Sequence, residues 1–359
     1  MIDLRSDTLT RPDIRMLSAI SAADIGDDCY GEDRTVRDLE EFCADMFGKE
    51  RAVLLPSGTM SNQIALRMLM RPGDELICDT SYHINFFEAS PTVDLAKVSI
   101  NAVGTKDGIL RVQDIEHACL ERARWQRQYY RHANLIWLEN TINGHGGRIY
   151  PETELKNVKQ WADAKNIPVF IDGARLLNAS AATGISPRQY GQYASSLSFC
   201  FAKGLGAPMG AMLMGEEAAI EEARRFRKWY GGGLHQAGIF AAAAAHALRN
   251  NREQLALDNH NAAIFFKVLS NCESVRATSP ETNIVMFDID ESGCDSGTFV
   301  GHMAMEGVKL LAWRGTTIRC VFSNLVTEAD ARIAGAKVVD VLHRLTTRSE
   351  YSRQTENAA

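Results

Sequence analysis

Ser196-Leu-Ser-Phe-Cys-Phe-Ala-Lys203-Gly-Leu-Gly-Ala-Pro-Met-Gly210 decides how this chain is read. The apolar run as far as Ala202 suits a buried strand, and the glycines after Lys203 give the backbone room beside it. A lysine on the rim of such a strand is placed to lose its proton and attack a carbonyl, because burial disfavours its charged form. Upstream, Ile167-Pro-Val-Phe-Ile-Asp172-Gly-Ala-Arg175 is a second apolar run that ends in a carboxylate. Pyridoxal phosphate (PLP) needs both groups: an amine to carry its aldehyde carbon, and an acid to keep its pyridinium nitrogen protonated.

Working outward, apolar runs alternate with helical patterns. Thr35 reads as the N-cap of a helix carrying Val36, Leu39, Phe42, Cys43 and Met46, with Gly48 ending it. Strand-like runs follow at Ala52–Leu55, Leu76–Cys78, Leu135–Leu138, Val169–Ile171, Leu197–Phe201 and Ala211–Met214, with helical patterns between several of them, such as Glu152–Lys165. That alternation predicts an α/β domain with a mostly parallel sheet covered by helices on both faces. After Gly231-Gly-Gly233 an alanine-rich segment, Ile239–Leu248, begins a long helix. The last third changes character, with strands over Asn283–Asp288 and Thr316–Phe322 and helices over Gly297–Glu306 and Glu328–Leu345. The expected organisation is a large domain over residues 1–250 with an N-terminal arm of about 1–30, a small α+β C-terminal domain over 251–346, and a polar, disordered tail over 347–359.

A net charge of −6 argues against a nucleic-acid partner, whose binders carry a basic face. The basic cluster Arg122–Arg131 reads as a solvated helix end. No stretch approaches the length of a membrane span, and the first residues lack the apolar core of a signal peptide. The eight cysteines are scattered, none in a Cys-x-x-Cys pair, so no metal site is expected and a reducing, cytoplasmic setting is.

Further residues join Lys203 and Asp172. Pro56-Ser57-Gly58-Thr59 lies at a strand-to-helix junction, where free N–H groups and the helix dipole favour a phosphate; a merely geometric turn is the competing reading. Arg175 is either a surface arginine or a donor to the cofactor's phenolic oxygen or to a substrate group. His83, after a strand-like segment, either lies face to face with the pyridine ring or is a core histidine. Arg319, in an apolar strand, needs a partner: a substrate α-carboxylate or an internal acid.

Leu4-Arg-Ser-Asp-Thr8 with Pro12, Gly26-Asp-Asp28 with Tyr30-Gly31, Leu55-Pro-Ser-Gly-Thr59, Leu138-Glu-Asn-Thr141, Ile171-Asp-Gly-Ala-Arg175, Lys203-Gly-Leu-Gly206 and Gly231-Gly-Gly233 together resemble the low-specificity L-threonine aldolases. The resemblance runs from residue 3 to about residue 330. It implies the PLP-dependent transferase fold type I, aspartate-aminotransferase-like and of the β-eliminating-lyase superfamily. It also implies cleavage of an L-β-hydroxy-α-amino acid, such as L-threonine, L-allo-threonine or phenylserine, to glycine and an aldehyde. By the same resemblance, Lys203 would carry the cofactor covalently, Asp172 would pair with the ring nitrogen, and Arg175 would reach the ring oxygen. Gly58 and Thr59 would hold the phosphate, His83 would stack on the ring and relay protons, and Ser6 and Arg319 would bind the substrate carboxylate. The family is a homotetramer of tight homodimers that complete one another's sites. Three positions depart from it. His235, in Gly-Gly-Gly-Leu234-His235-Gln236, replaces an arginine that binds phosphate across the dimer. Tyr129, with His132 nearby, falls where a histidine near the substrate hydroxyl is common. The Ile-Asn-Gly-His-Gly-Gly segment after Thr141 lacks a common histidine. These departures keep β-elimination, or another reaction of a β-substituted amino acid, open as the alternative. Intact Lys203 and Asp172 argue against a PLP-binding protein without turnover.

Overall fold

The computed structural model describes residues 1–125, 133–272 and 275–356. Seven strands form the central sheet, in the spatial order Arg51–Leu55, Ala211–Gly215, Ser196–Cys200, Val169–Asp172, Ala133–Glu139, Glu75–Asp79, Ser99–Val103. Ala211–Gly215 runs antiparallel to both its neighbours; the other pairings are parallel. Helices on both faces explain why the strands are apolar almost throughout rather than alternating: Leu135–Leu138, Val169–Ile171 and Ala211–Met214 are all wholly buried. The edge strand Ser99–Val103 escapes the sequence reading because three of its five residues are polar or exposed there.

Register is what matters for chemistry. Glu139 lies opposite Asp172, and Asp172 opposite Ser198, so the first two strands end level and Ser196–Cys200 runs two residues further toward the same edge. Open α/β sheets bind ligands at that edge. The helix Gly58–Leu69 starts there too, directly after the Arg51–Leu55 strand, with Ser57 Oγ accepting from the Met60 N–H.

Helix Arg34–Phe47 begins two residues earlier than its pattern predicts, because Asp33, not Thr35, is the N-cap. The Asp33 carboxylate accepts from the Val36 N–H at 3.1 Å and from the Gly238 N–H at 2.8 Å, tying two helices together. Gly48 ends the helix in the left-handed conformation, as expected. The alanine-rich helix stops at Asn250 and a second one, Arg252–Leu269, follows.

Apolar side chains separate into two clusters, one from Met16 to Leu255 and one combining Leu4 with residues from Ala262 to Leu342. Helix Arg252–Leu269 feeds both, with Leu255 in the first and Phe265 and Leu269 in the second. The second cluster packs on a four-stranded antiparallel sheet ordered Leu311–Arg314, Thr317–Val321, Ile284–Asp288, Arg276–Ala277. The start of the arm belongs to this smaller layer: Ile2–Asp3 pairs in parallel with Val308–Lys309. The last helix, Glu328–Glu356, runs on through most of the segment expected as a disordered tail.

Two glycines test this packing. A Cβ on Gly191 would lie 1.9 Å from the Phe47 carbonyl oxygen, a backbone atom that cannot step aside, whereas one on Gly301 meets nothing within 4 Å. Gly191→Ala should therefore destabilise by about 1–3 kcal/mol or more. Gly301→Ala, inside helix Ser296–Met305, should be neutral or stabilising by roughly 0.5–1 kcal/mol. Denaturant midpoints compare the two.

Candidate active site

A cavity of about 310 Å3 opens at the carboxyl edge of the large sheet and brings together Ser57, Gly58, Thr59, His83, Asp172, Arg175 and Lys203. Those seven are scattered over the sequence; the parallel strands and their loops deliver them to one edge. Asp172 ends its strand buried, with Oδ2 accepting from Asn62 Nδ2 at 2.9 Å and Oδ1 from the Ala174 N–H at 3.1 Å. Lys203 follows the strand Ser196–Cys200 and is half-buried, its carbonyl accepting from Thr10 Oγ1 at 2.9 Å.

The phosphate cradle fits as a place. Ser57 Oγ caps the Met60 N–H, and Ser57, Gly58 and Thr59, where the helix starts, line the cavity; the first N–H groups of a helix have no partner within it and favour an anion. Gly58 is required by close approach: a Cβ there would come within 2.9 Å of Cys200 Sγ. Helix start, lysine and buried acid in one cavity make a donor set that fits PLP.

Arg175 is buried rather than a surface arginine. Its Nε and Nη2 each donate to Asp7 at 2.7 Å, a two-pronged ion pair, and its Nη1 is left with Asn143 Oδ1 at 3.5 Å. Burial would raise the Asp7 pKa, but the Arg175 charge and hydrogen bonds, with the Lys203 charge and the Asn283 hydrogen bond, together hold the carboxyl below its ordinary value. Arg319 does not line the cavity itself; it donates through Nη1 to the same Asn143 oxygen at 3.0 Å and lies over the Trp313 ring at 4.8 Å. No internal acid pairs with it among the described residues. Burial, and then the Arg175 charge, pull its pKa down to about 10.

His83 is no isolated core histidine. Its Nδ1 lies 2.8 Å from Glu88 Oε1, and its ring packs on Phe87 at 4.8 Å. Burial lowers its pKa, but the Glu88 hydrogen bond and the charges of Asp172, Glu88 and Glu139 together raise it above the ordinary value. Ser6 lies beside the cavity rather than in its wall: its Oγ is 2.8 Å from the Thr8 hydroxyl, and Thr8 is a lining residue. His235 is outside the cavity, exposed, with Nδ1 at 2.8 Å from Asp27 Oδ2. Tyr129 and His132 lie outside the described residues.

Asp7, Asn62, Glu88, Glu139 and Asn143 were not identified from sequence. Glu139 had a usable signal, since it ends an apolar run as Asp172 does; the others are polar residues in loops or on helices, distinguished only by where the chain folds back. Glu139 accepts the His83 N–H at 2.5 Å and the Asn143 N–H at 2.8 Å. Burial, then repulsion from Asp172, push its pKa up to about 7 despite those donors.

A half-buried lysine, a buried acid and a helix start at the carboxyl edge of this sheet define a PLP enzyme of the fold type I class. The beta-eliminating lyase family model matches residues 3–292, and the chain belongs to that PLP-dependent family. It is similar to the low specificity L-threonine aldolase of Escherichia coli, at 39% identity over 73% of this chain and 77% of that one. It is 34% identical to low-specificity L-threonine aldolase 1 of Arabidopsis thaliana, over 92% of this chain and 93% of that one. Among solved structures, threonine aldolase from Leishmania major superposes with a TM-score of 0.80 at 20% identity, covering 96% of this chain and all of that one. The last comparison shows the fold.

Glu139 gives a pH test. Its folded pKa is about 7 against an ordinary 4.5, so the stability it contributes is complete below 4.5 and is lost as pH rises through about 7. Glu139→Gln should remove that slope, at most about 1.4 kcal/mol per pH unit, while costing a fixed amount for the backbone N–H left facing an amide. Urea unfolding at several pH values between 4.5 and 7 should show the variant flatter than wild type.

Proposed function

We propose that the chain is a PLP-dependent lyase that splits an L-β-hydroxy-α-amino acid, L-threonine or a relative of it, into glycine and an aldehyde. The observation carrying this reading is the pairing of the Lys203–Asp172 cavity with a buried guanidinium, Arg319, that has no carboxylate partner among the described residues. An amino acid supplies both an amine for the first and a carboxylate for the second.

Bound PLP supplies the electron sink for the pair left on Cα when the Cα–Cβ bond breaks. The chain supplies the rest. Lys203 would hold the cofactor through its side-chain amine. Asp172, fixed by Asn62 and the Ala174 N–H, keeps the proton on the ring nitrogen. Gly58 and Thr59 offer the phosphate their N–H groups, and Arg175 Nη1 is the donor left for the phenolic oxygen. Arg319, with Ser6 close by, orients the α-carboxylate. His83, in the cavity wall, is the base we assign to the β-hydroxyl proton, acting directly or through a water.

A homodimer or homotetramer fits the same reading, supported by exposed Ile14, Leu17, Tyr30, Phe42 and Trp229, large apolar side chains left in water by a single chain. In such an assembly His235 would approach a neighbour's phosphate as the family arginine does. A cytoplasmic location is supported by eight free cysteines, and no helix among the described residues is long and apolar enough to cross a membrane.

Incubation with L-threonine, L-allo-threonine, L-serine and phenylserine should yield glycine and aldehyde; pyruvate or a keto acid without glycine would mean elimination instead. Borohydride should fix PLP on Lys203, and Lys203→Ala should lose steady turnover. Arg319→Ala should raise KM by roughly 10- to 150-fold, the equivalent of ~1.5–3 kcal/mol for a charge-assisted contact, with a smaller effect on kcat. A large kcat loss at unchanged KM would contradict the carboxylate role.

A further inference from the structure

Glu88 is buried, 1% exposed, just behind the cavity wall. It accepts three side-chain hydrogen bonds: Oε1 from Asn62 Nδ2 at 2.9 Å and from the His83 ring at 2.8 Å, Oε2 from Gln63 Nε2 at 2.9 Å. The second hydrogen of Asn62 Nδ2 goes to Asp172 Oδ2 at 2.9 Å. The two amide orientations are forced, because rotating Asn62 would turn its oxygen toward two carboxylates at once. Asn62 Oδ1 and Gln63 Oε1 are left buried without partners, a cost the fold accepts to aim the N–H groups at acids. With Glu88 acting only as an acceptor, the hydrogen shared with His83 must sit on the imidazole.

We infer that Glu88 is a positioning residue that fixes the His83 proton on Nδ1, leaves Nε2 as the basic nitrogen of the ring, and through Asn62 ties that choice to Asp172. The logic is that of a carboxylate orienting a catalytic imidazole, here joined by one amide to the acid proposed for the cofactor nitrogen. The charged groups facing His83 are Glu88 on its own segment, Asp172 and Glu139 from the two neighbouring strand ends. Glu139 accepts the His83 backbone N–H, while Phe87 covers part of the ring. Glu88 alone bonds Nδ1. The consequence for turnover rests on the lyase reading; the placement of the proton does not.

The test uses the full-length protein stripped of PLP. Histidine-selective 15N NMR should show neutral His83 protonated on Nδ1, and an Nε2–H form in the wild type would overturn the proposal without any variant. Diethyl pyrocarbonate acylates the unprotonated ring, and His83, with its side chain 34% exposed, is reachable. Following its peptide by mass spectrometry against pH, Glu88→Gln should move the midpoint down by about one unit or more, since it removes the opposite charge. Gln63 can turn its free oxygen to meet the new amide, so the variant keeps its contacts. Superimposed curves would overturn the inference. In PLP-loaded enzyme the acid limb of kcat/KM should move down with it, whereas a fallen kcat with an unmoved limb would make Glu88 a structural residue only. A shifted acylation curve in a protein that cleaves no β-hydroxy amino acid would support the proton placement and sink the lyase reading.

Discussion

The structure hangs on the buried ion pair between Asp7 and Arg175. Asp7 arrives on an arm whose first residues pair with the strand Val308–Lys309, and Leu4 exchanges backbone hydrogen bonds with Lys309 and Val321 at 2.8 Å each. Arg175 stands in the loop after Asp172. Asn283, from the start of a small-layer strand, adds a third donor to Asp7 at 3.3 Å. One carboxylate thus couples the small layer to the floor of the cavity. Such a pair is a poor source of net stability, since apolar residues in its place often do as well, but losing one partner costs roughly 3–5 kcal/mol. It acts as a constraint. It also spends two faces of the Arg175 fork, leaving Nη1 as the edge still available at the site.

The same economy governs the acids. Parallel register puts Glu139 and Asp172 side by side at adjacent strand ends, where like charges in a poorly solvated pocket repel. Each is given two donors, Asp172 by Asn62 and Ala174, Glu139 by the N–H groups of His83 and Asn143. These donors do not suffice for Glu139, whose pKa remains near 7. Its proton can therefore be gained or lost near neutrality, close to an imidazole whose own pKa is raised.

Runs such as Leu135–Leu138 and Val169–Ile171 were legible in the sequence because a parallel strand covered on both faces must be apolar throughout. Ser99–Val103 was not, because none of its residues is fully buried and polar Ser99 and Asn101 interrupt it, unlike the other edge strand Arg51–Leu55, whose last four residues are buried. Lys203, Asp172 and Gly58 could be found for a related reason: each punctuates an apolar run, and the punctuation is the chemistry. Asn62, Glu88 and Asn143 carry no such mark. They are ordinary polar residues whose meaning comes from contacts made across long stretches of chain, and hydrogen-bond geometry does not show in spacing. His235 was visible as a departure from a family pattern, yet its surroundings were not: in a single chain it bonds Asp27 and does not line the cavity.

Arg319 is a buried cation without an acid partner among the described residues. Two guanidiniums, Arg175 and Arg319, meet at one neutral oxygen of Asn143, and Asp7, the carboxylate near both among the described residues, is already committed to Arg175. With a pKa near 10, Arg319 keeps its proton at neutral pH, so the uncompensated charge is real. Trp313 covers one face of the guanidinium and thereby fixes its plane. Nη1 is used by Asn143, and Nη2 has only a long 3.4 Å contact to the Arg5 carbonyl. Nε is buried with no acceptor at all. The Nε and Nη2 edge therefore presents two parallel donors, the geometry a carboxylate meets with both oxygens. An α-carboxylate on that edge would satisfy an orphaned donor and neutralise a buried cation in one step. If Arg319 takes the role proposed for it, the cost of burying a guanidinium without an acid partner would be offset only by an anionic substrate, and a fold can in that way hold binding energy in reserve for one end of a small molecule.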